Sequence, residues 1–270
     1  MGSLKIYVGC SGFSYNEWRG VFYPSRLPKE LWLEHYKKYF SVVELNFSFY
    51  KFPSQNITRS LVLKAPHLKF SVKAHQKFTH IRNYTPQDVE FFLKGIEPIV
   101  EKGNLIALLF QFPESFSMND QNWEYLEKLH YDFIDYVQVF ELRSKSWHTR
   151  EFFQWLDERN ITIANIDAPK EIGWAVGPWI STGEINYVRL HGRNPKNPYD
   201  YLYTEEELEE ILRKVKKIYK GKPTYVFFNN TVGAKCVANA IRFKQLLGLW
   251  NENIPIPNAI KRMWIAKEFE

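Results

Sequence analysis

The stretch YVRLHGR, residues 187–193, begins as a buried strand and ends in charge, with Arg189, His191 and Arg193 closing it. Side chains alternate between the two faces of a strand, so residues of one parity are read together. Tyr187, Arg189 and His191 share one face, which turns from apolar to polar toward the C-terminal end. A buried charge without a partner is expensive, so that end must point at something polar.

The same change recurs along the chain. Eight strand candidates are IYVG (6–9), VVELN (42–46), FSVKAH (70–75), IALLFQF (106–112), VQVFELR (137–143), ITIANID (161–167), NYVRLH (186–191) and TYVFFN (224–229). The second runs Val42, Glu44, Asn46; the third Ser71, Lys73, His75; the fourth Ala107, Leu109, Gln111. The fifth carries Val137 and Val139 before Glu141 and Arg143, and the sixth Ile161 and Ile163 before Asn165 and Asp167. The eighth gives Tyr225 and Phe227, then Asn229, with Asn230 on the other parity. The opposite faces stay mostly apolar, as packing against helices requires.

Helical segments separate most of these strands. LPKELWLEHYKKYF follows the first strand. TPQDVEFFLKGIEPIVEKG starts with Thr85 as an N-cap and Pro86 at the first helical position. TEEELEEILRKVKKIYKG pairs Thr204 with Glu207 in a capping box and ends at Gly221. SQNITRSLVLKAP and EIGWAVGPWI are the weak links, the first being short and the second containing Gly173, Gly177 and Pro178. Repeated strand–helix units of about 30 residues imply parallel strands joined by right-handed crossovers. Eight of them within 270 residues, with no Gly/Ser/Pro-rich linker, predict an α/β fold: one domain over 1–270, a closed (β/α)₈ barrel. An open doubly wound sheet is the alternative. In the barrel all seven polar ends converge on one mouth, where barrel enzymes place their chemistry.

Composition narrows the class. With 45% hydrophobic residues the chain can bury a sizeable core, and no apolar run approaches the roughly 20 residues that span a bilayer. The N-terminus lacks a secretory signal, so a soluble cytoplasmic protein without a membrane partner is expected. Two cysteines, Cys10 and Cys236, exclude a disulfide framework and a Cys-rich zinc module. The net charge of +6 is spread over the chain and tolerates an anionic partner without demanding one.

The motifs VGCSGFSYNEWRGVFYP (8–24), VVELNFSFY (42–50), FSVKAHQKFTH (70–80), LLFQFPESF (108–116), FELRSKSW (140–147), NYVRLHGR and YVFFNNTVGAKCVANAIRF (225–243) together resemble the DUF72, or YecE-like, family. They cover nearly the whole chain in order. The resemblance implies a TIM barrel and a relation to sugar isomerases, and it brings no established substrate. Sharing a barrel does not transfer a reaction.

Among the polar ends, Glu44, Glu141, Asp167 and His191 are the expected catalytic groups, and the same four could ligate a divalent metal. Salt bridges to Lys73, Arg143 and Arg189 would instead neutralise the carboxylates. The expected substrate-binding set is Lys73, Arg143, Arg189, Arg193, Gln111, Asn46, Asn229, Asn230, Tyr15 and His75. His80 is a weaker candidate. Tyr15, Trp18, Phe22 and Tyr23 could stack on a sugar or base, or pack as a lid over the rim. The leading expectation is an enzyme acting on a polar, anionic or sugar-like small molecule by isomerisation or hydrolysis, assisted by acid–base groups or by a metal. A nucleic-acid-processing or nucleic-acid-binding protein and a non-catalytic metabolite-binding module are the alternatives. Oligomeric state is not legible.

Overall fold

The computed structural model describes residues 4–267, without the side chains of 266 and 267. The outermost residues of the 1–270 span therefore lie outside the described residues. Eight strands form a closed, all-parallel barrel in sequence order. They are β1 (Ile6–Ser11), β2 (Val42–Leu45), β3 (Lys69–Lys73), β4 (Leu105–Phe112), β5 (Gln138–Leu142), β6 (Thr162–Asp167), β7 (Asn186–Leu190) and β8 (Thr224–Phe228). The barrel is thus observed and the open sheet is not.

Helices wrap the outside: α1 (Trp32–Tyr36), α2 (Phe47–Tyr50), α3 (Gln55–Lys64), α4 (Pro86–Glu101), α5 (Asp120–Asp132), α6 (Arg150–Glu158), α7 (Glu205–Tyr219), α8 (Lys235–Leu246) and α9 (Asn258–Lys267). The capping boxes at Thr85 and Thr204 are both formed. The weak second helix does form, as α3, with Thr58 bonded through Oγ1 to Gly95 O of α4 at 2.7 Å. A side chain at Gly95 would strike Pro53 O at 2.1 Å, so glycine permits this close approach.

No α-helix joins β6 to β7, only a single 3-10 turn at Lys170–Ile172. An extended segment lies over the outside of β6 instead, turning through Gly173 (φ 80°) and Gly177 (φ 99°). Ile166 and Gly177 exchange backbone hydrogen bonds of 2.8 and 2.9 Å. Asn165 bonds the backbone of Ile180 at both its amide groups, and Thr182 Oγ1 bridges Ile161 O and Ile163 N. An extended strap exposes its own N–H and C=O groups, so β6 presents polar side chains to it where the other strands present apolar ones.

Two layers of apolar packing hold the barrel. Between strands and helices lie Val43, Phe70, Leu108, Phe140, Val188, Val226 and their helical partners. Inside, Val42, Ala107, Leu109, Val139, Ala164, Tyr187 and Phe227 fill the lower barrel. Where β1 and β2 diverge, the Tyr36 hydroxyl accepts from Cys10 N at 2.8 Å and donates to Val42 O at 3.0 Å, completing the ladder with a side chain. Cys10 and Cys236 are both free and buried, with their thiols in contact. Among the described residues no helix is long and apolar enough to cross a membrane.

Candidate active site

Strand register decides which side chains share the mouth. Ser11 pairs with Glu44, Glu44 with Ser71, Lys73 with Leu109, and Gln111 with Glu141. These face the interior beside Tyr187 and Arg189, as their parity predicts. Above the apolar layer, Arg189 occupies the centre. Its Nε and Nη2 donate to Oε2 and Oε1 of Glu44 at 2.9 and 2.7 Å, and Nη1 donates to Oε2 of Glu141. All three side chains are almost wholly shut off from water. The Tyr187 hydroxyl sits 2.8 Å from Glu44 Oε2 and 2.7 Å from Ser71 Oγ. A carboxylate only accepts, so tyrosine gives its proton to Glu44 and the serine donates to tyrosine.

This arrangement keeps both acids ionised. Burial pushes the Glu44 carboxyl up, but the Arg189 charge and hydrogen bonds from Arg189 and Tyr187 outweigh it and leave the pKa below its ordinary value. Burial likewise opposes ionisation of Glu141, and the charges of Arg189 and Arg143 carry it well below the carboxylate range. Arg143 Nε donates to Glu141 Oε1 at 2.9 Å, while the guanidinium lies 3.4 Å from the ring centre of Trp174. It keeps 13% of its side chain exposed.

Among the described residues, Lys73 has no carboxylate within bonding distance. Its Nζ donates to Gln111 Oε1 at 2.8 Å and stands 4.0 Å over the ring of Phe49. Burial, then the positive charge of Arg189, brings its pKa down to about 7; Arg143 adds to this, and Glu141 and Glu44 oppose it. His191 is fully buried, its Nδ1 3.0 Å from Asn229 Nδ2 and its Nε2 3.8 Å from Glu141 Oε1. Burial and the Arg189 charge lower its pKa to about 4 despite Glu141, so the ring is neutral. With Asn229 donating to Nδ1, the ring proton sits on Nε2. His80 lies close enough to feel Lys73, and burial followed by that charge lowers it to about 4.

Of the residues expected at the mouth, Glu44, Lys73, Gln111, Glu141, Arg143, Arg189, His191 and Asn229 come together. Asn46 continues the Glu44 face, its Oδ1 buried without a partner. Tyr15 closes the rim, donating to Ser11 O at 2.8 Å. The aromatic loop behaves as packing: Trp18, Phe22 and Tyr23 are buried, and Trp18 Nε1 ties the loop to Thr231 O at 2.8 Å.

Four expected residues lie elsewhere. On β6 the pleat runs opposite to the expectation: Ala164 and Ile166 align with Tyr187 and Arg189, so Asn165 and Asp167 face outward. Asp167 is held by Arg193, whose Nε and Nη2 donate to it at 2.9 and 2.8 Å, and by the Tyr203 hydroxyl at 2.8 Å. Arg193 also meets Glu207 and Glu210 of α7, making a brace outside the barrel. Asn230 points outward to Tyr201 O and Asn239. His75 stacks on Phe52, ring centres 4.1 Å apart, in the wall beyond β3.

The expected metal ligands do not converge. Arg189 stands between Glu44 and Glu141, Asp167 is outside, and among the described residues no three of His, Cys, Asp and Glu gather as a metal set. The residues present do not fit a divalent ion. A cavity of about 760 Å³ opens away from the mouth, between α7, α8 and α9. Its Arg242 is already bound at both ends by Glu205.

Sequence reasoning placed Ser71 and Tyr187 on the mouth-facing parity without giving them a role, and it passed over Ser11, Phe49 and Trp174. Ser11 was readable, because it follows Gly9 on the inward parity of β1. Its Oγ lies near enough to Glu44 to help hold the carboxylate ionised, yet outside hydrogen-bond geometry. Trp174 lies in the strap, where no periodicity marks it.

Comparison with known proteins agrees with this architecture. The UPF0759 protein YunF of Bacillus subtilis is 27% identical over 272 residues, covering 90% of this chain and 95% of its own. The crystal structure of a DUF72 family protein from Thermotoga maritima superposes with a TM-score of 0.83 at 37% identity, covering 90% of this chain and 99% of that one. A DUF72 family protein from Enterococcus faecalis shares the fold, with a TM-score of 0.82 at 24% identity over 92% of this chain and 97% of its own. Residues 7–262 match the family described as protein of unknown function DUF72, and the chain belongs to that family.

Proposed function

We propose that the protein is an enzyme whose barrel mouth binds a small anionic, polar molecule and moves a proton on it, as in isomerisation beside a carbonyl. The observation that carries this reading is the charge balance of the mouth. Two carboxylates face two guanidiniums, so Glu44 and Glu141 are matched by Arg189 and Arg143. Lys73 then sets the sign, and its pKa of about 7 makes the mouth cationic in its protonated form. The partly exposed guanidinium of Arg143 suits a carboxylate or phosphate, which it can grip in a fork.

Polar atoms around the same hollow support a polar ligand. Ser11 Oγ, Asn46 Oδ1 and His191 Nε2 are buried without protein partners. Ser11 Oγ and His191 Nε2 can donate to a ligand and Asn46 Oδ1 can accept from one, so a ligand rich in hydroxyl or anionic oxygens suits them as well as water does. Lys73, half protonated near neutrality, is the group able to take and return a proton, and neutral His191 can donate to a developing oxyanion. Two unbridged thiols suit a reducing compartment such as the cytoplasm.

The test is binding of inorganic phosphate and of simple carboxylates, followed by thermal shift and titration calorimetry. Binding should weaken at least about tenfold in Arg143→Ala, the loss expected for one charge-assisted contact. It should also weaken as pH rises through 7. Ligands that bind equally well to wild type and Arg143→Ala, or independently of pH, would refute the reading.

A further inference from the structure

We propose that Lys73 is a nucleophile that forms an imine with a small aldehyde or ketone bearing a carboxylate or phosphate. This rests on the reading of the mouth as an anion-binding active site and names the substrate class for it. The argument begins with what surrounds the amine. A lysine kept for structure pairs with a carboxylate, and two carboxylates stand in this mouth. Both are claimed by Arg189, which takes Glu44 through Nε and Nη2 and Glu141 through Nη1. Lys73 is left with one neutral acceptor, Gln111 Oε1 at 2.8 Å, and one ring face, Phe49 at 4.0 Å. Gln111 takes one N–H and the Phe49 ring covers one side of Nζ. In its neutral form the amine keeps a lone pair for a ligand carbonyl.

Charge works in the same direction. The groups that bear on Lys73 are Arg189, Arg143, Glu141 and Glu44, with burial the largest influence and Arg189 next, and together they keep a large share of the amine neutral near pH 7. Desolvation beside another cationic group is a known way to activate a lysine toward carbonyls. Arg143 supplies the second element, a partly exposed anion grip held in place by Glu141 and Trp174. A ligand whose anionic end meets Arg143 brings its carbonyl end toward Lys73. The chemistry needs no metal or external oxidant.

The step balances as follows. The nitrogen lone pair attacks the carbonyl carbon and the C=O π pair moves to oxygen. Oxygen takes a proton and nitrogen gives one up, leaving a carbinolamine. A second proton from solvent at the mouth lets the hydroxyl leave as water while the nitrogen lone pair forms the C=N bond. The product is a protonated imine plus one water. The positive nitrogen makes the neighbouring C–H acidic, and with Lys73 held in the imine that proton passes to water at the mouth.

The experiment is reductive trapping at pH 7 with sodium cyanoborohydride. The probes are glyoxylate and glycolaldehyde phosphate, with uncharged glycolaldehyde as control, and adducts are mapped by peptide mass spectrometry. A trapped imine adds the mass of the probe less one oxygen atom. Ordinary lysines, with pKa near 10.4, are less than about 0.1% neutral at pH 7. Adduct at Lys73 is therefore expected to exceed that at any other lysine by at least about tenfold for both anionic probes. Arg143→Ala should reduce their trapping to the level of glycolaldehyde, and Lys73→Met should abolish the Lys73 adduct. Mapping on the wild-type protein gives an answer even if a variant fails to fold. Anionic probes that raise the melting temperature yet leave Lys73 unmodified would overturn the imine while the anion site stands. Probes that neither bind nor label would overturn both, and labelling spread over surface lysines would overturn the nucleophile.

Discussion

Arg189 meets Glu44 fork to fork across the barrel, with Nε to Oε2 at 2.9 Å and Nη2 to Oε1 at 2.7 Å, both side chains out of contact with water. The pairing reaches from β7 to β2, and Nη1 extends it to Glu141 on β5. Removing one member of a buried ion pair strands the others, at about 3–5 kcal/mol, whereas replacing the whole group by neutral residues often costs little. Arg189→Met should therefore lower the unfolding free energy by about 3–5 kcal/mol in urea titration, and adding Glu44→Gln with Glu141→Gln should restore most of it. Acid adds a sign. Both carboxyls titrate below their unfolded value of about 4.3, so their contribution is complete above that pH and fades as pH falls through the folded values. Wild type should lose stability more steeply below pH 4 than the triple variant, and parallel acid curves would contradict the pairing.

The lysine of the mouth gives an opposite dependence. Its pKa falls from about 10.4 in the unfolded chain to about 7 in the fold, so between those values the unfolded chain holds the extra proton. Stability must then rise with pH across that window, the penalty being complete below pH 7 and absent above about 10.4. A shift of this size corresponds to at most about 5 kcal/mol, and relaxation and water penetration around a buried amine reduce the observed effect to about 1–2 kcal/mol. Lys73→Met also costs Gln111 its bond partner, an effect constant with pH. Its stability relative to wild type should thus decline by about 1–2 kcal/mol between pH 7 and 10, measured by denaturant unfolding at each pH. A constant difference would place Lys73 at an ordinary pKa.

Much of this was written in residue parity. Glu44, Gln111, Glu141 and Arg189 each follow apolar residues on one face of a strand, Lys73 follows Ser71, and all five stand opposite a mostly apolar face. A helix packs on that second face, so the contrast fixes the pleat. β6 lacks the contrast, since Ile161 and Ile163 on one parity are matched by Ala164 and Ile166 on the other. Its outward partner is the strap, whose Ile180 backbone binds the Asn165 amide and whose Thr182 binds the backbone of Ile161 and Ile163, so a polar side chain faces out where other strands are apolar. Gly173, Gly177 and Pro178 marked the missing helix but not the inverted face. The state of Lys73 was not legible either. It depends on which cation wins the two carboxylates, and Arg189 wins because its fork reaches Glu44 and Glu141 at once.

The inverted pleat of β6 makes its own prediction at Asp167. Oδ1 accepts from Arg193 Nε at 2.9 Å and from Tyr203 at 2.8 Å, and Oδ2 accepts from Arg193 Nη2 at 2.8 Å. An amide at this place turns one acceptor into a donor facing the guanidinium, a mismatch of about 1–3 kcal/mol for a bond to a charged group. Arg193 remains anchored by Glu207 and Glu210, so the brace loosens without swinging into the mouth. Asp167→Asn should lower stability by that amount, while its affinity for anions at the mouth stays within about twofold of wild type, because sites without shared partners behave additively. Arg143→Ala should instead weaken binding at least about tenfold, with a stability cost of its own of about 1–3 kcal/mol because Glu141 Oε1 loses its donor. Measuring both quantities on both variants separates the two faces of the barrel wall. Loss of anion binding in a stably folded Asp167→Asn would return that carboxylate to the mouth and overturn the register of β6 against β7.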